Sequence, residues 1–148
     1  MMLSKARCIL FTAACFMSAC TQPVPGVLTL APAGMRISGT NTPRPDGTLA
    51  MAADCIAESE VYVDAGTVTI TVTASASMPD HALTLELWFA GTSVGSRRVQ
   101  STDPTALAFH SRASASGPVA IRLVVHADPP GSTAAGMLEV EKVVITEP

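Results

Sequence analysis

The sequence predicts an all-β protein built as an antiparallel β-sandwich, and three observations support this fold class. Apolar and polar residues alternate repeatedly, so that every second side chain of a run faces a core. Turn-forming residues separate these runs at intervals of about ten residues. No segment carries apolar residues at helical spacing over several turns. Many short strands at such spacing are typical of two packed sheets.

Seven alternating runs follow one another along the chain. In the clearest run, GTVTITVTAS, Val68, Ile70 and Val72 alternate with threonines, which is the pattern of a half-buried strand. The other six runs are AESEVYV (57–63), HALTLELWFAG (81–91), TSVGSRRVQS (92–101), TALAFHS (105–111), GPVAIRLVVHA (117–127) and GMLEVEKVVIT (136–146). Glycine, proline and aspartate punctuate them, most clearly in the turn DPPG at 128–131.

The first twenty residues have the three parts of a secretory signal. Lys5 and Arg7 precede an uncharged apolar stretch, and small residues follow at the expected cleavage point. The final four residues, Met17-Ser18-Ala19-Cys20, resemble the lipobox of bacterial lipoproteins. That resemblance implies cleavage before Cys20 and attachment of lipid, including palmitate, to this residue. We therefore expect a lipoprotein anchored in the membrane of the bacterial cell envelope, with the outer membrane favoured by Thr21.

Three segments are predicted from these features. Residues 1–19 form the signal peptide, and residues 20–50 form the acylated cysteine and a tether rich in Pro, Gly and Thr. Residues 51–148 form the sandwich domain. The short apolar patches VLTLA (27–31) and MRIS (35–38) fit either edge strands or part of the tether.

Charge and cysteine content exclude several function classes. The formal net charge is −3 and only 14% of the residues are charged, which argues against nucleic acid as a partner. Cys8 and Cys15 leave with the signal peptide and Cys20 carries lipid, so Cys55 remains alone. No internal disulfide and no multi-cysteine metal site is then expected. Cys55 itself fits a buried or intermolecular thiol, or a reactive one.

Four segments resemble the strands of jelly-roll carbohydrate-binding modules of the calcium-dependent xylan-binding type. They are VDAGTVTITVTASA (63–76), LTLELWFAGTSVGSRRV (83–99), GPVAIRLVVHADPPG (117–131) and GMLEVEKVVI (136–145). The resemblance spans about Ile56 to Ile145. It implies a jelly-roll-like sandwich of about eight strands and a non-catalytic, polysaccharide-binding function, with a xylan-like ligand.

The same resemblance implies calcium ligands. Asp128 stands at the loop aspartate of those modules, and Glu141 stands where their closing strand carries an aspartate. Calcium takes six to eight oxygen ligands, and neighbouring sugar hydroxyls are able to supply two of them. Asp128 also fits a simple turn before Pro129 and Pro130, and Glu141 also fits a solvated edge position.

Trp88 is the candidate ligand platform, together with Asp128. Alternation places Trp88 on the face opposite to Leu87 and Phe89, so its indole faces away from the core. An exposed indole offers a flat apolar surface on which a sugar ring stacks. Cover by the N-terminal segment, or packing at the sandwich rim, is the alternative role of Trp88.

We expect no enzymatic activity. His81, His110 and His126 occur with serines and acidic residues, but no recognised catalytic arrangement is present. The alternative to glycan binding is a structural or protein-interaction module of the envelope, in which a sheet edge pairs with an envelope protein during assembly or adhesion.

Overall fold

The fold is an antiparallel β-sandwich, and this confirms the fold class predicted from the sequence. A computed structural model describes residues 26–78, 82–129, 131 and 136–147. Within these residues eleven strands form two antiparallel sheets, and the only helical element is a short 3-10 turn at Pro32–Gly34. The described part of the chain contains no helix that is long and apolar enough to cross a membrane.

One sheet has six strands and contains the C-terminal strand near its centre. The strands pair in the order β3-β4-β11-β6-β9, and β1 pairs with the second half of β11. The bounds are β1 (Val27–Leu30), β3 (Asn41–Pro43), β4 (Leu49–Met51), β6 (Gly66–Ala76), β9 (Thr105–Ala113) and β11 (Leu138–Thr146).

The other sheet has five strands in the order β2-β5-β10-β7-β8. Its central strand, β10, pairs through residues 117–124 with β5 on one side and through residues 121–127 with β7 on the other. The bounds are β2 (Arg36–Ser38), β5 (Ile56–Val63), β7 (Leu83–Phe89), β8 (Thr92–Val99) and β10 (Gly117–Ala127).

The core lies between the sheets and follows the alternation of the sequence. Every second residue of β6 and β7 is buried, including Val68, Ile70, Leu85 and Leu87, each with no exposed surface. Removing one such side chain from water contributes about 1.5–3 kcal/mol. The outer face of β6 carries the intervening threonines, and the outer face of β7 carries Thr84, Glu86 and Trp88.

The sandwich begins earlier in the chain than the sequence suggested. The segment 27–51, assigned mostly to the tether, contributes β1 to β4, so its two apolar patches lie in or next to paired strands. Leu49 and Met51 have no exposed surface, because β4 packs its apolar side chains into the core. The seven alternating runs correspond to β5 to β11, and these four additional strands bring the total to eleven where about eight were expected.

Candidate functional site

One row of side chains crosses all five strands of the five-stranded sheet on its solvent-facing side. Arg36 of β2 lies opposite Glu58 of β5, and Glu58 lies opposite Arg122 of β10. Arg122 in turn lies opposite Trp88 of β7, and Trp88 opposite Ser93 of β8. Because residues in register share a face, all five side chains are directed away from the core. These five residues are called the polar row below.

Two arginines of the polar row share one carboxylate. Arg122 donates from Nε to Glu58 Oε2 at 2.9 Å, and its Nη2 lies 2.7 Å from the same oxygen. Arg36 donates from Nη2 to the other oxygen, Oε1. The hydrogen bond from Arg122, followed by that from Arg36, lowers the pKa of Glu58 below its ordinary value. Glu58 is thus held ionised between two cations.

A second carboxylate, Glu86, lies beside Trp88 on the same face of β7. The Ser93 hydroxyl donates to Glu86 Oε1 at 2.7 Å, and His126 Nε2 lies 2.8 Å from Oε2. The Ser93 hydrogen bond first, and then that of His126, lower the pKa of Glu86, with a smaller contribution from the Trp88 indole. Polar groups therefore border the indole on the Glu86 side as well as on the Arg122 side.

Ser93 reaches this position because β8 contains a bulge. Leu87 lies opposite Gly95, whereas the next residue, Trp88, lies opposite Ser93, so Val94 is the extra residue of β8. Gly95 has a φ of 149°, a backbone conformation that favours glycine. Without the extra residue, Ser93 would face the core side of the sheet, since a shift of one residue reverses every side chain. A glycine within an alternating run was the available sequence signal for this bulge.

The structure places the two residues of the expected ligand site, Trp88 and Asp128, far apart on one face. Asp128 follows β10 six positions after Arg122, the residue opposite Trp88. At the rise of an extended strand this separation is about 20 Å. The Asp128 carboxylate forms an ion pair with Arg98, whose Nε lies 2.8 Å from Asp128 Oδ2.

The two residues proposed to bind metal are on different elements: Asp128 directly follows β10 of the five-stranded sheet, whereas Glu141 is in β11 of the six-stranded sheet. Glu141 is the extra residue of a bulge in β11 and is exposed to solvent. No cluster of three or more His, Cys, Asp or Glu side chains suited to a metal occurs in the described ranges. Calcium needs six to eight oxygens, and the one carboxylate at the expected position already binds a guanidinium. The residues that the structure describes therefore do not fit a calcium site at Asp128; Pro130 and residues 132–135 of this loop lie outside them.

The remaining candidate residues are dispersed. Cys55 is fully buried, and burial raises the pKa of its thiol. His110 lies on the outer face of the six-stranded sheet, with Nδ1 3.2 Å from the Thr69 hydroxyl, whereas His126 lies on the five-stranded sheet. His81 lies outside the described residues, and so does the N-terminal segment 1–25, which includes Cys20.

Two shallow grooves flank the ion-paired end of the polar row. A groove of about 460 Å³ is lined by Arg36, Ser38, Ile56, Glu58 and Arg122, with Ile37 at its edge. A groove of about 440 Å³ lies on the other side and is lined by Arg36, Glu58, Ser59, Glu60 and Ala120. Both are in the size range of small-ligand sites. The five-stranded sheet thus offers an aromatic platform, fixed hydrogen-bonding groups and open grooves on one face.

Solved structures share this fold. The chain is similar to the CBM36-1 domain of a multidomain xylanase from the hindgut metagenome of Trinervitermes trinervoides, with a TM-score of 0.67 and 16% identity over 82% of this chain and 98% of that one. It is similar to a CBM36 carbohydrate-binding module in complex with calcium and xylotriose, with a TM-score of 0.65 and 19% identity over 80% and 99% of the two chains. The mannan-binding module from Man5C matches with a TM-score of 0.62 and 20% identity over 80% and 97%.

These likenesses show that the chain has the β-sandwich fold of carbohydrate-binding modules. They span nearly the full length of those modules, so the match is to a whole domain rather than to a shared fragment. No protein-family model matches the chain, and no curated protein is similar to it in sequence.

The ion pairs of Glu58 predict an acid-dependent contribution to stability. Because its folded-state pKa lies below the ordinary 4.5, Glu58 stabilises the fold at pH values above that value, and this contribution is lost as pH falls through the folded pKa. Glu58→Gln should therefore lower the free energy of unfolding most near neutral pH, and the difference from wild type should shrink below about pH 4.5. Urea unfolding at low ionic strength between neutral and acid pH measures this.

Glu60→Gln is the matched control, since Glu60 is on the same strand and face but forms no ion pair with any residue in the described ranges. Glu60→Gln should change the free energy of unfolding only slightly at every pH. A Glu58→Gln difference that stays constant down to acid pH would contradict the assigned role of the two arginines.

Proposed function

We propose that this chain is a non-catalytic polysaccharide-binding protein whose ligand lies on the outer face of the five-stranded sheet. The observation that carries this proposal is the position of Trp88 within the polar row. Its side chain is partly exposed on a sheet face, and Trp88 lies in register between Arg122 and Ser93. Sugar rings combine an apolar face with a rim of hydroxyls, so they need an aromatic platform with hydrogen-bonding groups beside it.

The polar groups around Trp88 are held in place before any ligand arrives. Glu86 is fixed by Ser93 and His126, and Arg122 is fixed by Glu58. A binding site whose side chains are already ordered loses less conformational entropy on binding. This arrangement suits recognition of hydroxyl groups along an extended chain.

The solved structures of the same fold agree with this class of ligand. One is a complex with xylotriose and calcium, and another is a mannan-binding module. Xylan-like and mannan-like chains are therefore the first ligands to test. Calcium assistance is supported by the resemblance and by that calcium complex, whereas the Asp128 carboxylate of this chain is paired with Arg98.

We also propose, from the sequence, that the protein is anchored in the membrane of the cell envelope through acylated Cys20. The support is the lipobox-like Met17-Ser18-Ala19-Cys20 after a charged and then apolar leader. More than one acyl chain on a single residue suffices for stable anchoring.

In cells supplied with labelled palmitate, the wild-type protein should carry label and enter the detergent phase. A Cys20→Ala variant that retains both properties would contradict the anchor.

Replacing Trp88 tests the ligand face. Trp88→Ala should weaken binding of xylan- and mannan-derived oligosaccharides by about 1 kcal/mol or more, which is about fivefold in Kd, because the stacking surface is lost. Trp88→Phe should retain part of the affinity. Isothermal titration calorimetry with oligosaccharides of several lengths measures both variants.

Thr71→Ala, on the outer face of the six-stranded sheet, is the control and should leave binding unchanged. If Trp88→Ala binds as tightly as wild type, the site is elsewhere. If the wild type binds no glycan, the protein-interaction role would take the place of this proposal.

A further inference from the structure

We propose that the polar row selects an acidic glycan, and that the groove between Arg36 and Arg122 accepts the carboxylate of a uronic acid. This inference rests on the proposed function and names the ligand chemistry of the same face. It arises from an imbalance of charge: two guanidinium groups surround the single carboxylate of Glu58. One positive charge is therefore left without a counter-charge within this group of three.

The two arginines have hydrogen-bond donors to spare. A guanidinium carries five N–H donors in a rigid fork. Arg122 contacts Glu58 through Nε and Nη2, and Arg36 contacts it through Nη2. The Arg36 side chain is 82% exposed and that of Arg122 is 46% exposed, whereas the Glu58 side chain is 18% exposed. The two arginine side chains are therefore open to solvent, whereas the carboxylate that they share is mostly covered.

The two grooves differ in charge, which assigns the carboxylate to one of them. The groove of about 460 Å³ is lined by both arginines and Glu58, with Ile56 as an apolar part of its lining. The groove of about 440 Å³ is lined by Arg36 with Glu58 and Glu60, so negative charge exceeds positive charge there. An anionic sugar is attracted to the first groove and repelled by the second.

The other charges on this face lie outside the first groove. Glu60 lines the second groove, Arg98 and Asp128 pair with each other, and Glu86 is bonded by Ser93 and His126. Arginine binds carboxylates through two parallel N–H donors, which a neutral sugar hydroxyl cannot match. Since Arg122 is the cross-strand neighbour of Trp88, a chain stacked on the indole brings its substituents to the same groove.

Calorimetric titration of two matched ligands tests this inference in the full-length protein. The probes are xylotetraose and the same oligosaccharide bearing one glucuronic acid. In wild type the acidic ligand should bind about tenfold tighter at low salt, the effect of one charge-assisted hydrogen bond. The preference should fall as sodium chloride is raised, because salt screens exposed charges.

Arg122→Gln and Arg36→Gln should each reduce the ratio of the two affinities, and Arg122→Lys should retain part of it because the charge is kept. Arg36 lies on a short, exposed edge strand, so its replacement tests the groove even if Arg122→Gln unfolds the sheet. Arg112→Gln, on the outer face of the six-stranded sheet, should leave the ratio unchanged.

Equal binding of the two ligands by wild type would overturn the inference and leave the proposed function standing. A preference for the acidic ligand that survives both arginine-to-glutamine changes would overturn the assignment to this groove. Failure to bind either of these ligands or any mannan-derived oligosaccharide would overturn the polysaccharide-binding proposal itself.

Discussion

The register of β10 between β5 and β7 is the constraint on which the proposed ligand face depends. It places Arg122 opposite Glu58 on one side and opposite Trp88 on the other. A slip of one residue would reverse β10, directing Arg122 into the core and Leu123 into solvent. Because Ile121, Leu123 and Val125 are fully buried, core packing fixes this register, and the position of the polar row follows from it.

The ion pairs of the polar row fix the positions of side chains more than they stabilise the fold. Exposed salt bridges are each worth about 0–1 kcal/mol, because solvent screens them and ordering the side chains costs entropy. Glu58 nevertheless fixes the guanidinium of Arg122, the residue opposite Trp88, and it links the edge strand β2 to the central strand. Glu86 fixes Ser93 and His126 in the same way on the other side of the indole.

The sequence was sufficient to predict the fold because alternation is a local signal. The run around Val68 and the run around Leu87 each predicted both a strand and its buried face, and both predictions agree with the structure. Alternation likewise assigned Trp88 to the outer face. Burial of Met51 could not be predicted in this way, because three-residue strands such as β4 are too short to show a period.

The composition of the polar row depends on pairing between distant segments, which one sequence does not reveal. Arg36 and Glu58 are brought together by β2, a strand of only three residues, and Ser93 faces outward only because of the bulge at Val94. The resemblance directed attention to Asp128 and Glu141 instead. These two residues were assigned by position from the calcium ligands of other modules. The assignment could not show that Asp128 pairs with Arg98 in this chain.

The central claim is that the ligand lies on the outer face of the five-stranded sheet, across the polar row. Nuclear magnetic resonance of the isotopically labelled protein, titrated with oligosaccharide, tests this claim without any substitution. The account predicts that the largest shift changes occur at the Trp88 indole N–H and at the backbone amides of Ser93 and Arg122, with small changes at Thr69 and Thr71 on the other sheet. Shift changes confined to the loop after Val125, or to the six-stranded sheet, would contradict it.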